Sequence, residues 1–213
     1  MNRNLYNSYA MLEHILPTNH GISITTHDAQ QYMRKYGCYC FPVNGGTVGP
    51  RESYHGEPLD ELDSKCRDFY RSQTCLAEEF ENDNNYTCDV ASVFPFYIDN
   101  DTGDIVCGQW GVNDPFNWSS TNEENCALQK CELEKLFVSE VAQLIADGFV
   151  QNENYKKIED ADYSGFCPHA TRSGNNGVNQ NYQCCGVGIQ RKKFNNLVAQ
   201  CCNDVVQALG NCS

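Results

Sequence analysis

Fourteen cysteines among 213 residues constrain this chain more than any other feature. Their number is even, and four of them form the adjacent pairs Cys184-Cys185 and Cys201-Cys202. The chain contains no C-x-x-C spacing of the kind that structural zinc sites use. This pattern favours a disulfide framework over a zinc site and indicates an oxidising compartment. We therefore expect a secreted, extracellular protein whose fold is braced by disulfides.

Four N-glycosylation sequons point to the same compartment. Their acceptor residues are Asn85, Asn100, Asn117 and Asn211. The first six residues lack the apolar core of a signal peptide, and no window of about eighteen apolar residues occurs in the chain. We interpret the sequence as a processed, secreted glycoprotein without a membrane anchor.

The net charge of −13 limits the partners that the surface can attract. Because so large an excess of carboxylates repels nucleic acid and anionic lipid, we expect no nucleic-acid partner and no stable membrane insertion. Cations and basic protein partners are compatible with this charge. The one basic run, Arg191-Lys192-Lys193, is interpreted as a solvated surface.

Hydrophobic periodicity and turn signals predict a mainly α-helical chain. The first helix is expected to end at Pro17, and a Thr121-x-x-Glu124 capping box is expected to open the last long helix. A polar run ending in Gly103-Asp104 between two apolar segments is typical of a β-hairpin. The predicted elements are helices over 4–16, about 26–36, 58 onward and 121–147, and a hairpin over 94–107.

The segment Tyr36-Gly37-Cys38-Tyr39-Cys40 is followed about twenty residues later by Pro58-Leu59-Asp60-Glu61-Leu62-Asp63-Ser64-Lys65-Cys66. This arrangement resembles the entry to the catalytic helix of secreted phospholipases A2, in which a calcium loop and a helix with a His-Asp pair follow. The resemblance covers residues 1–167 and implies two long antiparallel helices with a small β-hairpin. Residues 168–213 are interpreted as a small cysteine-rich C-terminal module.

The resemblance also implies a set of disulfides. It supports Cys40 with Cys66 and Cys107 with Cys131 best, and Cys38 with Cys167 next. Cys126 is expected to pair with either Cys75 or Cys88. The other of those two is then free to bridge to the tail, because five cysteines follow Cys167 and their number is odd.

The same register indicates that the chemistry of the family is missing. It places Phe69 where the family has its catalytic histidine, Tyr70 where it has the calcium-binding aspartate, and Glu134 where an aspartate orients the histidine. A phenyl ring accepts no proton, and a phenol with a pKa of about 10 is a poor calcium ligand at neutral pH. Two interpretations of the aromatic pair remain open: it fills the core, or it lines a surviving lipid groove.

Calcium and other metals are not expected as cofactors. Phe41 replaces the first glycine of the family's calcium loop, and Pro42-Val43-Asn44 lengthens it. Asp99, Asp101 and Asp104 alternate as in some calcium loops, but Gly103 precedes the last of them instead of following it. We interpret this run as a hairpin turn, with weak cation binding as the alternative.

Three functions fit the sequence. The first is a non-catalytic structural or interaction protein of an extracellular matrix, coat, secretion or mineralised tissue, which binds extracellular proteins or assembles with itself. The second is a calcium-dependent phospholipase A2 hydrolysing glycerophospholipid esters, which requires a different register. The third is a lipid-binding or toxin-like module.

Overall fold

The computed structural model describes residues 3–33, 36–40, 57–88, 94–108, 120–155, 182–187 and 190–212. About half of these residues are helical, and the strands form small antiparallel pairs, as expected for a mainly α, disulfide-rich chain. The helices are α1 (Arg3–His20), α2 (Thr26–Met33), α3 (Glu61–Asn84) and α4 (Thr121–Ala146), with a 3₁₀ turn at Glu153–Tyr155. The strands are β1 (Phe96–Ile98), β2 (Ile105–Cys107), β3 (Tyr182–Cys185), β4 (Lys192–Asn195), β5 (Ala199–Cys202) and β6 (Val205–Ala208).

The long helices begin at side-chain caps. Asp60 caps α3 by accepting a hydrogen bond from the N–H of Asp63 at 3.0 Å. Ser120 caps α4 by accepting from the N–H of Glu123 at 3.2 Å. The predicted capping box was therefore one residue too far along the chain, since Thr121 is already helical.

The predicted end of the first helix at Pro17 is wrong. Helix α1 continues to His20 and contains Pro17. It ends where Gly21 adopts a φ of +69° and Ile22 donates its N–H to the carbonyl of Leu16 at 3.1 Å. The turn before this cap buries Ile15 and Leu16, and this packing offsets the hydrogen bond that proline cannot make.

Helices α3 and α4 run antiparallel. Lys65 near the start of α3 lies 3.3 Å from Glu140 near the end of α4, and Phe69 stacks on Phe137. At the opposite end, Cys88 just after α3 is bonded to Cys126. Helix α1 packs on α4 and completes a core that includes Leu12, Leu16, Leu62, Val138 and Val141.

Disulfides join these elements to each other and to the tail. The structure contains the expected pairs Cys40–Cys66 and Cys107–Cys131. Of the two alternatives for Cys126, it is Cys88 that forms the bond, and Cys75 is bonded to Cys184 in the tail. Cys38 is also disulfide-bonded, and its expected partner Cys167 lies outside the described residues. Two further bonds, Cys185–Cys201 and Cys202–Cys212, lie within the tail.

Two short hairpins form the described part of the tail. Strand β3 pairs with β4 and β5 pairs with β6, each in an antiparallel register. Strand β4 packs against α3. The predicted boundary between residues 167 and 168 lies outside the described residues.

Candidate functional site

A groove of about 510 Å³ lies between α3, α4 and the tail. Its floor is apolar and centres on Phe69, which stacks on Phe137 with ring centroids 4.5 Å apart and an interplanar angle of 18°. Leu133 and Leu136 of α4 extend this floor. The tail supplies the opposite wall through Cys185, residues 190–192 and residues 204–206. The groove is thus built jointly by the helical part and the tail.

The aromatic pair predicted to replace the catalytic residues is buried. Phe69 is 5% exposed and Tyr70 is 4% exposed, and both belong to the main core. They divide their roles: Phe69 lines the groove, whereas Tyr70 is not among the groove residues. The core-filling interpretation fits both residues, and Phe69 in addition contacts the groove from the core side.

Glu134 connects α4 to α1. Its carboxylate accepts a hydrogen bond from Ser8 Oγ, and its side chain lies in a wholly enclosed environment near Lys130. Burial raises the pKa of Glu134 to about 7, although Ser8 and the charge of Lys130 oppose this rise. Glu134 does not line the groove. Its contacts serve helix packing, because they join α4 to Ser8 of α1.

The described histidines lie away from the groove. His14 has its Nε2 atom 2.6 Å from the carbonyl oxygen of Gly103 in the β1–β2 turn. His27 is exposed at the start of α2, 3.9 Å from Asp28. His20 is at the end of α1. None of the described groove residues is a histidine, so the groove offers no imidazole as a general base.

Asp63 organises the segment Tyr36–Cys40, a role that the sequence did not suggest. Its buried carboxylate accepts hydrogen bonds from the N–H groups of Tyr39 at 2.7 Å and Leu59 at 3.0 Å. Gly37 has a φ of +58°, and a Cβ added to it would lie 2.3 Å from Asp63 Oδ1. Burial raises the pKa of Asp63, while the backbone hydrogen bonds lower it. The signal in the sequence for this contact was the pair Gly37 and Asp63 at their spacing, since only a glycine permits the Asp63 carboxylate to approach the backbone of residue 37 so closely.

The interpretation of Arg191-Lys192-Lys193 as a solvated surface is wrong for two of its residues. Arg191 is 4% exposed and pairs with Glu79 of α3, and its guanidinium also donates to Gln129 of α4 at 3.0 Å. Lys193 lies 3.2 Å from Glu78. The basic run binds acidic side chains on α3, so in this acidic chain it attaches the tail to the helices.

Further polar contacts reinforce this attachment. Ser72 Oγ of α3 donates to the carbonyl of Arg191 at 2.7 Å. The guanidinium of Arg71 lies 5.8 Å from the ring centre of Tyr182 in β3. Together with the bond between Cys75 and Cys184, these contacts hold the tail in place along one side of the groove.

The candidate cation residues form a turn. Asp99 accepts hydrogen bonds from the N–H groups of Asp101 at 2.8 Å and Thr102 at 2.9 Å, and these bonds lower its pKa. Its carboxylate therefore stabilises the hairpin between β1 and β2. In the described ranges, no group of three or more His, Cys, Asp or Glu side chains could hold a metal ion.

The structure places three of the four sequon asparagines on the surface. Asn85, Asn100 and Asn211 are exposed, and Asn117 lies outside the described residues. Asn85 is the C-cap of α3 with a φ of +48°. None of the described helices has the length and apolar character needed to cross a membrane.

No protein-family model matches the chain, and no curated protein matches it significantly.

Proposed function

We propose that this chain is a non-catalytic, secreted, disulfide-braced glycoprotein that acts by binding extracellular partners. In this proposal residues 1–167 keep a phospholipase A2-like arrangement of two antiparallel helices and a hairpin. Its role is structural or one of interaction, in an extracellular matrix, coat, secretion or mineralised tissue. In this proposal the packed aromatic side chains of Phe69 and Tyr70 stand in place of the residues that hydrolysis needs.

One observation carries the proposal. Phe69 occupies the position at which the resemblance expects a catalytic histidine, and its ring is stacked face to face on Phe137. Hydrolysis of an ester by this family's route needs a base that takes a proton from water and a cation that polarises the carbonyl. The described groove supplies neither an imidazole nor a cluster of carboxylates that could hold calcium. Among its charged residues, Lys65 and Glu140 are paired with each other at 3.3 Å.

The tail supports the same proposal. A lipolytic enzyme must present an open groove to a lipid surface, but here the tail lies along the groove and is bonded to α3 through Cys75 and Cys184. The net charge of −13 also opposes adsorption to anionic membranes. Both features suit a rigid extracellular scaffold better than an interfacial enzyme.

The experiment is an assay of fatty-acid release from mixed phospholipid micelles, with calcium and with a chelator. We expect the purified chain to release no more fatty acid than a buffer blank in either condition. A secreted phospholipase A2 in the same micelles is the positive control. Chelator-sensitive release by the chain at a rate above the blank would contradict the proposal.

The apolar floor favours one second candidate, a carrier of single-chain lipids. A volume of about 510 Å³ lies within the range of small-molecule sites, which is roughly 300 to 1,000 Å³. Native mass spectrometry after incubation with oleate or lysophosphatidylcholine tests it. A one-to-one complex that Leu136→Glu abolishes would support the carrier, since Leu136 lines the floor and is only half-buried.

A further inference from the structure

Strand β6 pairs with β5 alone among the described strands, so in the part of the chain that the structure describes its outer edge has no pairing partner. The N–H of Leu209 donates to the carbonyl of Val198 at 3.3 Å, which marks the opposed residues 198 and 209 as a hydrogen-bonded pair. Because such pairs alternate along an antiparallel ladder, Val205 and Gln207 direct their backbone groups to β5, and Val206 directs its own away from it.

This open edge borders the groove. The strand residues Val205 and Val206 line the groove together with Asp204 of the preceding turn, whereas no residue of β5 does. Successive side chains of a strand point to opposite faces, so Val205 and Val206 both meet one groove along the edge of the strand. The N–H and C=O of Val206 therefore lie at the wall that faces the aromatic floor.

We propose that the groove binds an extended, basic segment of a partner protein, which adds a strand to β6 at Val206. A large apolar side chain of that segment packs on the floor formed by Phe69 and Phe137. Main-chain hydrogen bonds to a free edge supply affinity in such complexes, and a side-chain pocket supplies specificity. The inference rests on the proposed function, because it requires a groove that binds and does not hydrolyse.

The polar edge distinguishes a peptide from a lipid. An acyl chain would cover the apolar floor, but it would leave the N–H and C=O of Val206 desolvated without a partner. An extended peptide forms hydrogen bonds with both groups of Val206. The peptide residue that makes these bonds, or its neighbour, covers the apolar floor with its side chain. The combination of a free sheet edge and an apolar floor is thus matched by a polypeptide.

The charge of the whole chain favours a basic segment, because a net charge of −13 steers cationic partners toward it. The groove lining itself is balanced, since Lys65, Arg191 and Lys192 are matched in number by Asp68, Glu140 and Asp204. At the groove, Asp204 makes no ion pair with a described residue and lies next to the open edge. The cation of Lys65 is paired with Glu140 at 3.3 Å, and that of Arg191 with Glu79. Lys192 is the rim cation that makes no described ion pair.

The test uses a fluorescein-labelled peptide of nine residues in which threonine and lysine alternate around a central phenylalanine. Its anisotropy is titrated with the full chain carrying Ser213→Ala, which removes the Asn211 sequon and any glycan beside the hairpin. We expect saturable binding that weakens at least tenfold when the central phenylalanine is replaced by alanine. We expect a similar loss when the central backbone nitrogens are N-methylated, because this blocks strand pairing and keeps every side chain.

Variants of the chain test the same contacts from the other side. Val206→Pro removes the outward N–H without removing a hydrogen bond to β5, and proline is tolerated at such an edge position. It is expected to weaken binding at least tenfold, while the control Gln207→Thr, at a β6 residue that does not line the groove, binds like the parent. Asp204→Asn keeps a residue that tolerates the φ of +63° found there, and it is expected to weaken binding several-fold and to reduce its salt dependence.

Three results would overturn the inference. They are the absence of saturable binding, equal binding of the N-methylated and parent peptides, and displacement of the peptide by oleate with no effect of Val206→Pro. The N-methylated peptide keeps the inference falsifiable if Val206→Pro does not fold. Failure of peptide binding without phospholipid hydrolysis would contradict this inference alone, whereas chelator-sensitive hydrolysis would contradict the proposed function.

Discussion

The carboxyl group of Glu134 is buried and shielded from water. It is 3% exposed, and burial raises its pKa to about 7, against about 4.3 for an exposed glutamate. The folded state therefore binds a proton more tightly than the unfolded chain between these two pH values. The contribution of this group to the free energy of unfolding is greatest below about pH 4 and falls as the pH rises toward 7.

We predict that Glu134→Gln removes this pH dependence. In the parent chain the fall between pH 5 and pH 8 amounts to roughly 3 kcal/mol, because about two pH units of this interval lie below the folded pKa of about 7, at about 1.4 kcal/mol per unit. Urea unfolding at pH 5 and pH 8 measures it. Glu132→Gln on the same helix is the matched control, because Glu132 is only half-buried. If parent, control and Glu134→Gln lose the same free energy between the two pH values, the burial of Glu134 is not the cause.

Position 37 requires glycine for two reasons: its backbone φ is positive, and the Asp63 carboxylate lies too close for a Cβ atom. We predict that Gly37→Ala destabilises the chain by roughly 2 kcal/mol more than Gly21→Ala. Both glycines have a positive φ, of +58° and +69°, but a Cβ at residue 21 meets nothing within 4 Å, whereas one at residue 37 meets the Asp63 carboxylate.

Chemical denaturation of the two variants measures this difference directly. The strain of a left-handed alanine is common to both, so the difference isolates the contact with Asp63. Equal losses of unfolding free energy would show that the carboxylate moves away at no cost, and that its hydrogen bonds to Tyr39 and Leu59 contribute little.

At the scale of elements, the tail hairpins are attached to α3 by a buried ion pair. We predict that Arg191→Ala lowers the free energy of unfolding by roughly 2 kcal/mol or more, because the guanidinium is 4% exposed and its loss leaves Glu79 half-buried without its partner. Lys192→Ala, at an exposed position next in the chain, is the control and is expected to change stability by less than about 0.5 kcal/mol.

Hydrogen exchange shows which elements lose stability in the Arg191→Ala variant. Arg191→Ala should speed exchange of the β3–β4 amides while leaving the core of α1 protected, since the lost contacts join the tail to α3. If both variants behave alike, the tail is held by its disulfide and by apolar packing, and the ion pair is dispensable.

The sequence predicted the elements that carry strong local signals. Apolar spacing predicted helices α3 and α4, although α3 begins at Glu61 and not at residue 58, because Asp60 caps it. The β1–β2 hairpin was predicted from its turn, which Asp99 stabilises. The continuation of α1 through Pro17 was not predictable, because packing of Ile15 and Leu16 outweighs a local preference. The tail hairpins were missed since their strands are four residues long and lie between cysteines.

The candidate site was predictable only in part, for the same reason. Sequence register singled out Phe69, which lies on the groove floor. It gave no indication that residues 190–192 and 204–206 form the opposite wall. Contacts between residues more than one hundred positions apart, such as Glu79 with Arg191, leave no periodic signal in one sequence.

For the whole molecule, one arrangement supports both proposals. The tail is bonded to α3, so the groove is lined by two parts of the chain, the helices and the tail. The edge of β6 that borders the groove belongs to that same tail. If the tail were independent of the helices, neither the composite groove nor the strand-pairing site would exist.

The most direct measurement is disulfide mapping of the unreduced chain by mass spectrometry after proteolysis at a pH low enough to prevent exchange. We predict one linked peptide joining the Cys75 segment to the Cys184 segment, and another joining Cys88 to Cys126. A map in which Cys75 is linked to Cys126, with four of the five tail cysteines bonded to each other and the fifth a free thiol, would contradict the composite groove and the account built on it.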